Sequence, residues 1–263
     1  MGTVADVVPL QAENRVIVRY GLQSLRGMGS PGLKALLQVA KLADKEALRA
    51  DDIAFGIGPR INAAGRLGQA RLAVELLTTE DPERAGQLAA WLDQLNDNRK
   101  TVERRILRQA KDMVEENSAW QQHKTLVLAH HEWHPGVIGI VASRVAEEFD
   151  KPAILIALKD DGTGTGSGRS FAGFQLYDAL DACRGHLLQF GGHKAAAGLK
   201  LQAGNVEAFR ESLAAWAAEH FHPTAEDTQL RIDAEVLLSE VNLRAVTELD
   251  RLGPFGAANP TPR

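Results

Sequence analysis

With a single cysteine, Cys183, the chain has no internal disulfide. In "LYDALDACRGHLL" that cysteine stands at helical spacing from Leu176 and Leu180, which reads as core packing rather than a reactive thiol. No apolar run approaches the roughly 18 residues a membrane span needs. Residues 1–20 lack the basic-then-apolar layout of a secretory leader, so the expectation is a cytoplasmic protein with no membrane partner. A surplus of positive charge is also missing. The net charge of -4 argues against coating nucleic acid by bulk electrostatics, yet leaves room for a local basic groove.

What is present is 263 residues with 44% hydrophobic content, enough for one large domain or two smaller ones. Arginine outnumbers lysine two to one, mild evidence for forked recognition of phosphate or carboxylate. Residues 1–78 are rich in glycine and short helical patterns, including "SPGLKALLQVAKLAD" with Pro31 at a helix start. From about Pro82 to Glu116 the apolar spacing predicts a long helix, with Asp81 as N-cap and Pro82 at its first position. At 1.5 Å per residue it would be about 50 Å long, a connector between two lobes. Its basic residues Arg99, Lys100, Arg104, Arg105 and Arg108 form either solvated surface, the favoured reading, or one wall of a cleft. Strand and helix patterns then alternate over 119–222 as in an α/β domain, with "FQLYDALDACRGHLLQF" read as a helix and "GTGSGRS" as a turn. Beyond a linker at 223–229, "LRIDAEVLL" reads as a strand, followed by a short helix and a Pro/Gly-rich end.

Three glycine-bearing motifs of the α/β lobe fall where open sheets place ligands. In "HPGVIGIVASR", His134, Pro135 and Gly136 precede a helix whose N–H groups suit an anion. In "GTGTGSGRS", Gly166 and Gly168 would permit close backbone approach while Ser167 and Arg169 supply a hydroxyl and a guanidinium. In "FGGHK", Gly191 and Gly192 either punctuate a helix end or let the backbone approach a ligand toward which His193 and Lys194 point. Each is weak alone; together they point to a phosphate-bearing ligand. The cluster "AHHEWHP" is one residue short of a helical zinc motif and is not read as one. In "GIGPRINAAGRLG", Arg60, Asn62 and Arg66 stand among small residues that permit close approach, and the two arginines suit a clamp for a polyanion. Asp6 in "GTVADVVPL" has no partner ligands nearby in sequence.

In their order, "GTVADVVPL", "GIGPRINAAGRLG", "HPGVIGIVASR", "GSGRS", "FGGHKAAAGL" and "LGPFGAANP" resemble the blocks of the RecJ single-stranded-DNA-specific exonucleases, of the DHH phosphoesterase superfamily. The resemblance implies an α/β fold: the C-terminal part of a DHH domain (1–78), a connecting helix (79–118), a DHHA1 domain (119–222), and a linker with the start of an OB-type domain (223–263). It implies 5′ to 3′ hydrolysis of single-stranded DNA with Mn²⁺ or Mg²⁺, and single-stranded-DNA-binding protein as a cellular partner. Of the family's metal ligands only Asp6 is matched, since His130 and His131 follow Ala129 and lie in the other domain. The expectation is a C-terminal portion inactive by itself. By the same resemblance Ser167 and Arg169 hold the terminal phosphate and His193 faces the scissile one. Gly191 and Gly192 let that turn lie against the phosphate and Lys194 adds charge, while Arg60, Asn62, Arg66 and His134 contact the DNA backbone. A second reading is a non-catalytic module that holds a nucleotide or phosphorylated end, as in cyclic-dinucleotide and short-oligonucleotide hydrolases of the superfamily.

Overall fold

The computed structural model describes residues 1–25, 27, 29–224, 229–230 and 232–263. They form two compact units, residues 1–98 with 230–263, and residues 99–229. The first unit is helical: α1 (Gly2–Ala5), α2 (Ala12–Leu25), α3 (Pro31–Val39), a π-helical turn (Asp52–Ile57), α4 (Gly58–Arg66), α5 (Ala70–Thr78) and the first half of α6 (Pro82–Glu115). The expected caps form. Ser30 Oγ accepts the Leu33 N–H ahead of Pro31, and Asp81 Oδ1 accepts the Glu83 N–H at 2.9 Å beside Pro82. Leu36, Ile53, Ile57, Ala63, Ala64, Leu76 and Leu92 form its core.

The second unit opens with the latter half of α6 and α7 (Ser118–Gln122) and is built on a five-stranded sheet. Its strands are β1 (Leu126–His130), β2 (Ala153–Leu158), β3 (Thr163–Arg169), β4 (Gln189–Gly192) and β5 (Ala196–Gln202), in the order β1-β2-β3-β5-β4. Only β1 and β2 are parallel, joined through α8 (Ile138–Phe149); the other pairs are antiparallel. Strand alternation sends Leu126, Leu128, Ala153 and Leu155 to one face, against Ile138, Val141 and Val145 of α8 and Ile106, Ala110 and Val114 of α6. Val127, Ile154, Ile156, Leu199 and Leu201 go to the other, against α9 (Leu176–Ala182) and α10 (Val206–His220). The result is an α/β sandwich of three layers. Cys183 is buried in the second layer beside Ser212, and burial pushes its thiol above the usual value.

Local structure departs from the sequence reading in several places. "GTGSGRS" is not a turn: it lies within and just after β3, and the turn is at 159–162, where the Lys159 N–H reaches Thr163 O and Gly162 has φ +79°. The helix starting at Leu176 stops at Ala182, with one 3-10 turn (Arg184–His186) before β4, so Gly191 ends no helix. "GIGPRINAAGRLG", in the segment read as having short helical patterns, is helical over most of its length and is no departure. "LRIDAEVLL" forms no strand among the described residues; Leu230, Ile232, Val236 and Leu237 are exposed, and an isolated strand without a ladder partner is not stable. Arg231 and residues 225–228 of the adjoining linker lie outside the described residues. The C-terminal segment, which includes α11 (Leu243–Asp250), belongs to the first unit, where the Leu10 N–H donates to Ala257 O at 2.7 Å.

Two measurements check this architecture. Leu155→Ala at the fully buried centre of β2 is expected to cost about 2–5 kcal/mol in denaturant unfolding. In the β2–β3 turn, Asp161 Oδ1 accepts the Thr163 hydroxyl at 2.6 Å and its N–H at 2.9 Å, which holds the carboxyl below the usual aspartate value. Its NMR titration midpoint should be lower than that of an unpaired aspartate and rise in Thr163→Ala. The associated stability is present above the unfolded-state pKa and fades as pH falls through the folded one.

Candidate nucleic-acid interface

The site grows from the alternation of β3. Thr163, Thr165, Ser167 and Arg169 share the face that meets α8, while Gly164, Gly166 and Gly168 are buried on the other. These three glycines serve packing rather than ligand approach. A Cβ on Gly166 would stand 2.7 Å from Leu199 Cδ1, and one on Gly168 3.0 Å from Leu176 Cδ2. Large side chains of β5 and α9 fill the space that the missing side chains leave.

On the polar face, Arg169 Nη1 donates to Ser167 Oγ at 3.1 Å and to Gly168 O at 2.7 Å. These bonds fix the guanidinium plane next to the hydroxyl, whose own proton remains a donor. Both side chains lie under the first turn of α8. A Cβ on Gly139 would come within 2.9 Å of Ser167 Oγ and 3.0 Å of Arg169 Nη2. Gly139 thus brings a helix N-terminus, a guanidinium and a hydroxyl to one place, an arrangement suited to an anion. Spacing gave little hint of Gly139; its signal was only a small residue in the first turn after "HPG".

His134 holds the entrance of α8. Its carbonyl accepts the Val137 and Ile138 N–H groups, and its Nδ1 accepts the Gly136 N–H at 3.1 Å. The same local bond recurs at His193, whose Nδ1 accepts the Ala195 N–H at 3.2 Å. In the neutral ring the proton then sits on Nε2, which becomes a donor.

Sheet register places the "GGHK" stretch at the same end as Arg169. Arg169 pairs with Ala196 on β5, and the His193 N–H donates to Ala196 O at 2.9 Å. Two strand spacings of roughly 4.8 Å separate β3 from β4. Lys194 and Ala195 form the tip of the hairpin, tied down by the Ser170 N–H to Ala195 O and the Leu176 N–H to Lys194 O. The two glycines do different work. Gly192 has φ +143°, and a Cβ there would lie 2.4 Å from Ala196 O, so the hairpin closes only with glycine. At Gly191 an added Cβ would meet nothing within 4 Å, and the face of the sheet stays open. His193 and Lys194 are exposed.

The candidates of the first unit sit in other surroundings. Arg60 is committed to the fold: it pairs with Asp93 at 2.8 Å and donates to Gly56 O at 2.6 Å and Val39 O at 3.2 Å. The small residues of α4 are equally structural, with Ala63 and Ala64 fully buried. Asn62 and Arg66 are exposed, one helical turn apart. Asp6 is the exposed C-cap residue of the four-residue α1. Among the described residues, no group of three or more His, Cys, Asp or Glu side chains could hold a metal ion. Divalent Mg²⁺ and Mn²⁺ require several oxygen ligands, and one exposed carboxylate does not fit them.

Residues 122–219 match the family model for the DHHA1 domain. The whole chain is 41% identical to the single-stranded-DNA-specific exonuclease RecJ of Dickeya dadantii, covering 46% of that protein, and 38% identical to RecJ of Thermus thermophilus, covering 37%. The crystal structure of RecJ in complex with Mn²⁺ from Thermus thermophilus superposes with a TM-score of 0.88 at 36% identity, over 99% of this chain and 38% of that one. The chain spans less than half the length of these relatives. It therefore carries a DHHA1 domain at residues 122–219 and is similar throughout its length to part of the RecJ exonucleases.

Proposed function

We propose that the second unit of this chain is the strand-gripping part of a 5′ to 3′ exonuclease acting on single-stranded DNA. The observation that carries the reading is the Ser167–Arg169 pair under the glycine-bearing first turn of α8. Arg169 supplies paired charged donors, Ser167 a hydroxyl, and the helix N-terminus a favourable field, the three features that suit the phosphate at a DNA end. At the end of the same sheet, His193 Nε2–H donates to an oxygen of the scissile phosphate, and Lys194 adds charge at the hairpin tip. Asn62 and Arg66 contact the DNA backbone. Arg60, being paired with Asp93, supports α4 rather than the strand.

The complete enzyme works with Mn²⁺ or Mg²⁺, the ions named with the RecJ crystal structures. When bound, such ions supply activation of water and stabilisation of the leaving oxygen. Among the described residues no group of His, Cys, Asp or Glu side chains makes that centre, so the contribution proposed for this chain is to bind and orient the strand. In the cell it acts in the cytoplasm, on DNA that single-stranded-DNA-binding protein also covers.

Purified residues 1–263 should bind a 5′-phosphorylated oligothymidylate, and Arg169→Ala should weaken that binding roughly tenfold, the scale of one hydrogen bond to a charged group. The same change should lower the salt slope by about 0.7. Unchanged affinity would overturn the site. A preference for cyclic dinucleotides, which have no terminal phosphate, would favour the nucleotide-module reading. With Mn²⁺ added, the chain should not degrade the oligonucleotide. Degradation that Asp6→Ala abolishes would show that the metal centre is complete after all.

A further inference from the structure

We infer that Lys200 is a second cationic ligand of the anion held by Ser167 and Arg169, and that it tunes the site toward a terminal phosphate over an internal phosphodiester. The inference rests on the reading of those two residues as phosphate ligands.

Its basis is the face of the sheet that they share. Burial alternates along β5, so that Ala196, Gly198, Lys200 and Gln202 lie on the same face as Thr163, Thr165, Ser167 and Arg169. In register, Ser167 stands opposite Gly198, and Lys200 opposite Thr165. Lys200 is therefore the diagonal neighbour of Ser167, at a Cα separation of about 7–8 Å that long side chains bridge. The space between is open: a Cβ on Gly198 would meet only Gly166 O, at 3.8 Å, and on Gly191, its partner on β4, nothing within 4 Å.

The charges that the strands themselves put on this face have one sign. From β3 it carries Thr163, Thr165, Ser167 and Arg169; from β5, Ala196, Gly198, Lys200 and Gln202; from β4, Gln189 and Gly191. No strand contributes a carboxylate to it, and Lys200 forms no ion pair among the described residues.

A lysine on an exposed strand often serves only to discourage edge pairing. That role does not fit here. β5 is interior, hydrogen-bonded to β3 on one side and β4 on the other, and the outer strand β4 carries the uncharged Gln189 at this level. A terminal phosphate bears about -1.5 to -2 charges at pH 7, whereas a phosphodiester bears one. Arg169 balances a single charge. A second cation across a glycine floor adds affinity chiefly for the more highly charged group.

The test compares one oligothymidylate with a 5′-phosphate and with a 5′-hydroxyl, bound to the 263-residue chain. The unaltered chain should prefer the phosphorylated form. Lys200→Ala should cut that preference about three- to fivefold, the scale of an exposed ion pair, with hydroxyl-ended binding unchanged within about twofold. Lys200→Arg should retain the preference. Equal loss for both oligonucleotides would make Lys200 a general backbone contact and overturn the inference. So would no effect of Lys200→Ala while Arg169→Ala still weakens binding, a result that leaves the site itself standing. If Arg169→Ala also has no effect, or the unaltered chain binds neither form, the phosphate site falls and Lys200 with it.

Discussion

The constraint on which the second unit turns is the closeness of β3 to its hydrophobic neighbours. Gly164, Gly166 and Gly168 leave room for Ile156, Leu199 and Leu176 to pack against bare backbone, with hypothetical Cβ contacts of 2.7 to 3.0 Å. Because strand side chains alternate strictly, burying these three positions turns Ser167 and Arg169 to the opposite face. The same alternation that closes the core presents the polar pair. Any shift of β3 by one residue would put the arginine into the apolar layer and the glycine on the polar face, so the core and the proposed site hold each other in register.

Much of this was legible in the sequence, and the exceptions have physical causes. Long apolar periodicity and strong caps marked α6, and apolar runs marked β1 and β2, because burial dictates those patterns directly. β3 was missed because glycine is counted as a turn residue. The period-two order Thr-Gly-Thr-Gly-Ser-Gly-Arg was nevertheless a strand signal, with glycine standing where an apolar side chain ordinarily would. The segment before β4 misled for the opposite reason. "CRGHLLQF" keeps helical spacing, but β4 pairs through four residues with β5, and tertiary pairing overrides a local preference worth little per residue. Residues that matter through what they lack, such as Gly139 and Gly198, cannot be recognised until their neighbours are placed.

Arginine surplus proved an ambiguous sign of phosphate recognition. Glu103, almost fully buried, is bracketed by Arg99 and by Arg144 at 2.9 Å. Arg210 is buried as well, donating to Val127 O at 2.9 Å, pairing with Glu207 and lying over the Trp120 ring. Arg60 is tied to Asp93. A guanidinium has enough donors to satisfy several buried acceptors at once, so these arginines are accounted for by the fold itself. Arg169 differs in its setting: its guanidinium donates to a hydroxyl and a carbonyl on the polar face of β3, beside the first turn of α8.

That setting also reconciles an acidic chain with the anionic ligand proposed for it. A net charge of -4 is a property of the whole surface, whereas binding depends on the potential within about a Debye length of the ligand, roughly 8 Å in physiological salt. Carboxylates such as Glu103 and Glu148 are engaged with Arg99, Arg144 and Lys111. On the polar face of β3, β5 and β4 the charged groups that the strands contribute are Arg169 and Lys200, around a floor of glycine. The absence of side chains there matters as much as the presence of cations. A phosphate at the proposed site would meet bare backbone at Gly198 and Gly191, where an added Cβ has at most Gly166 O at 3.8 Å for a neighbour.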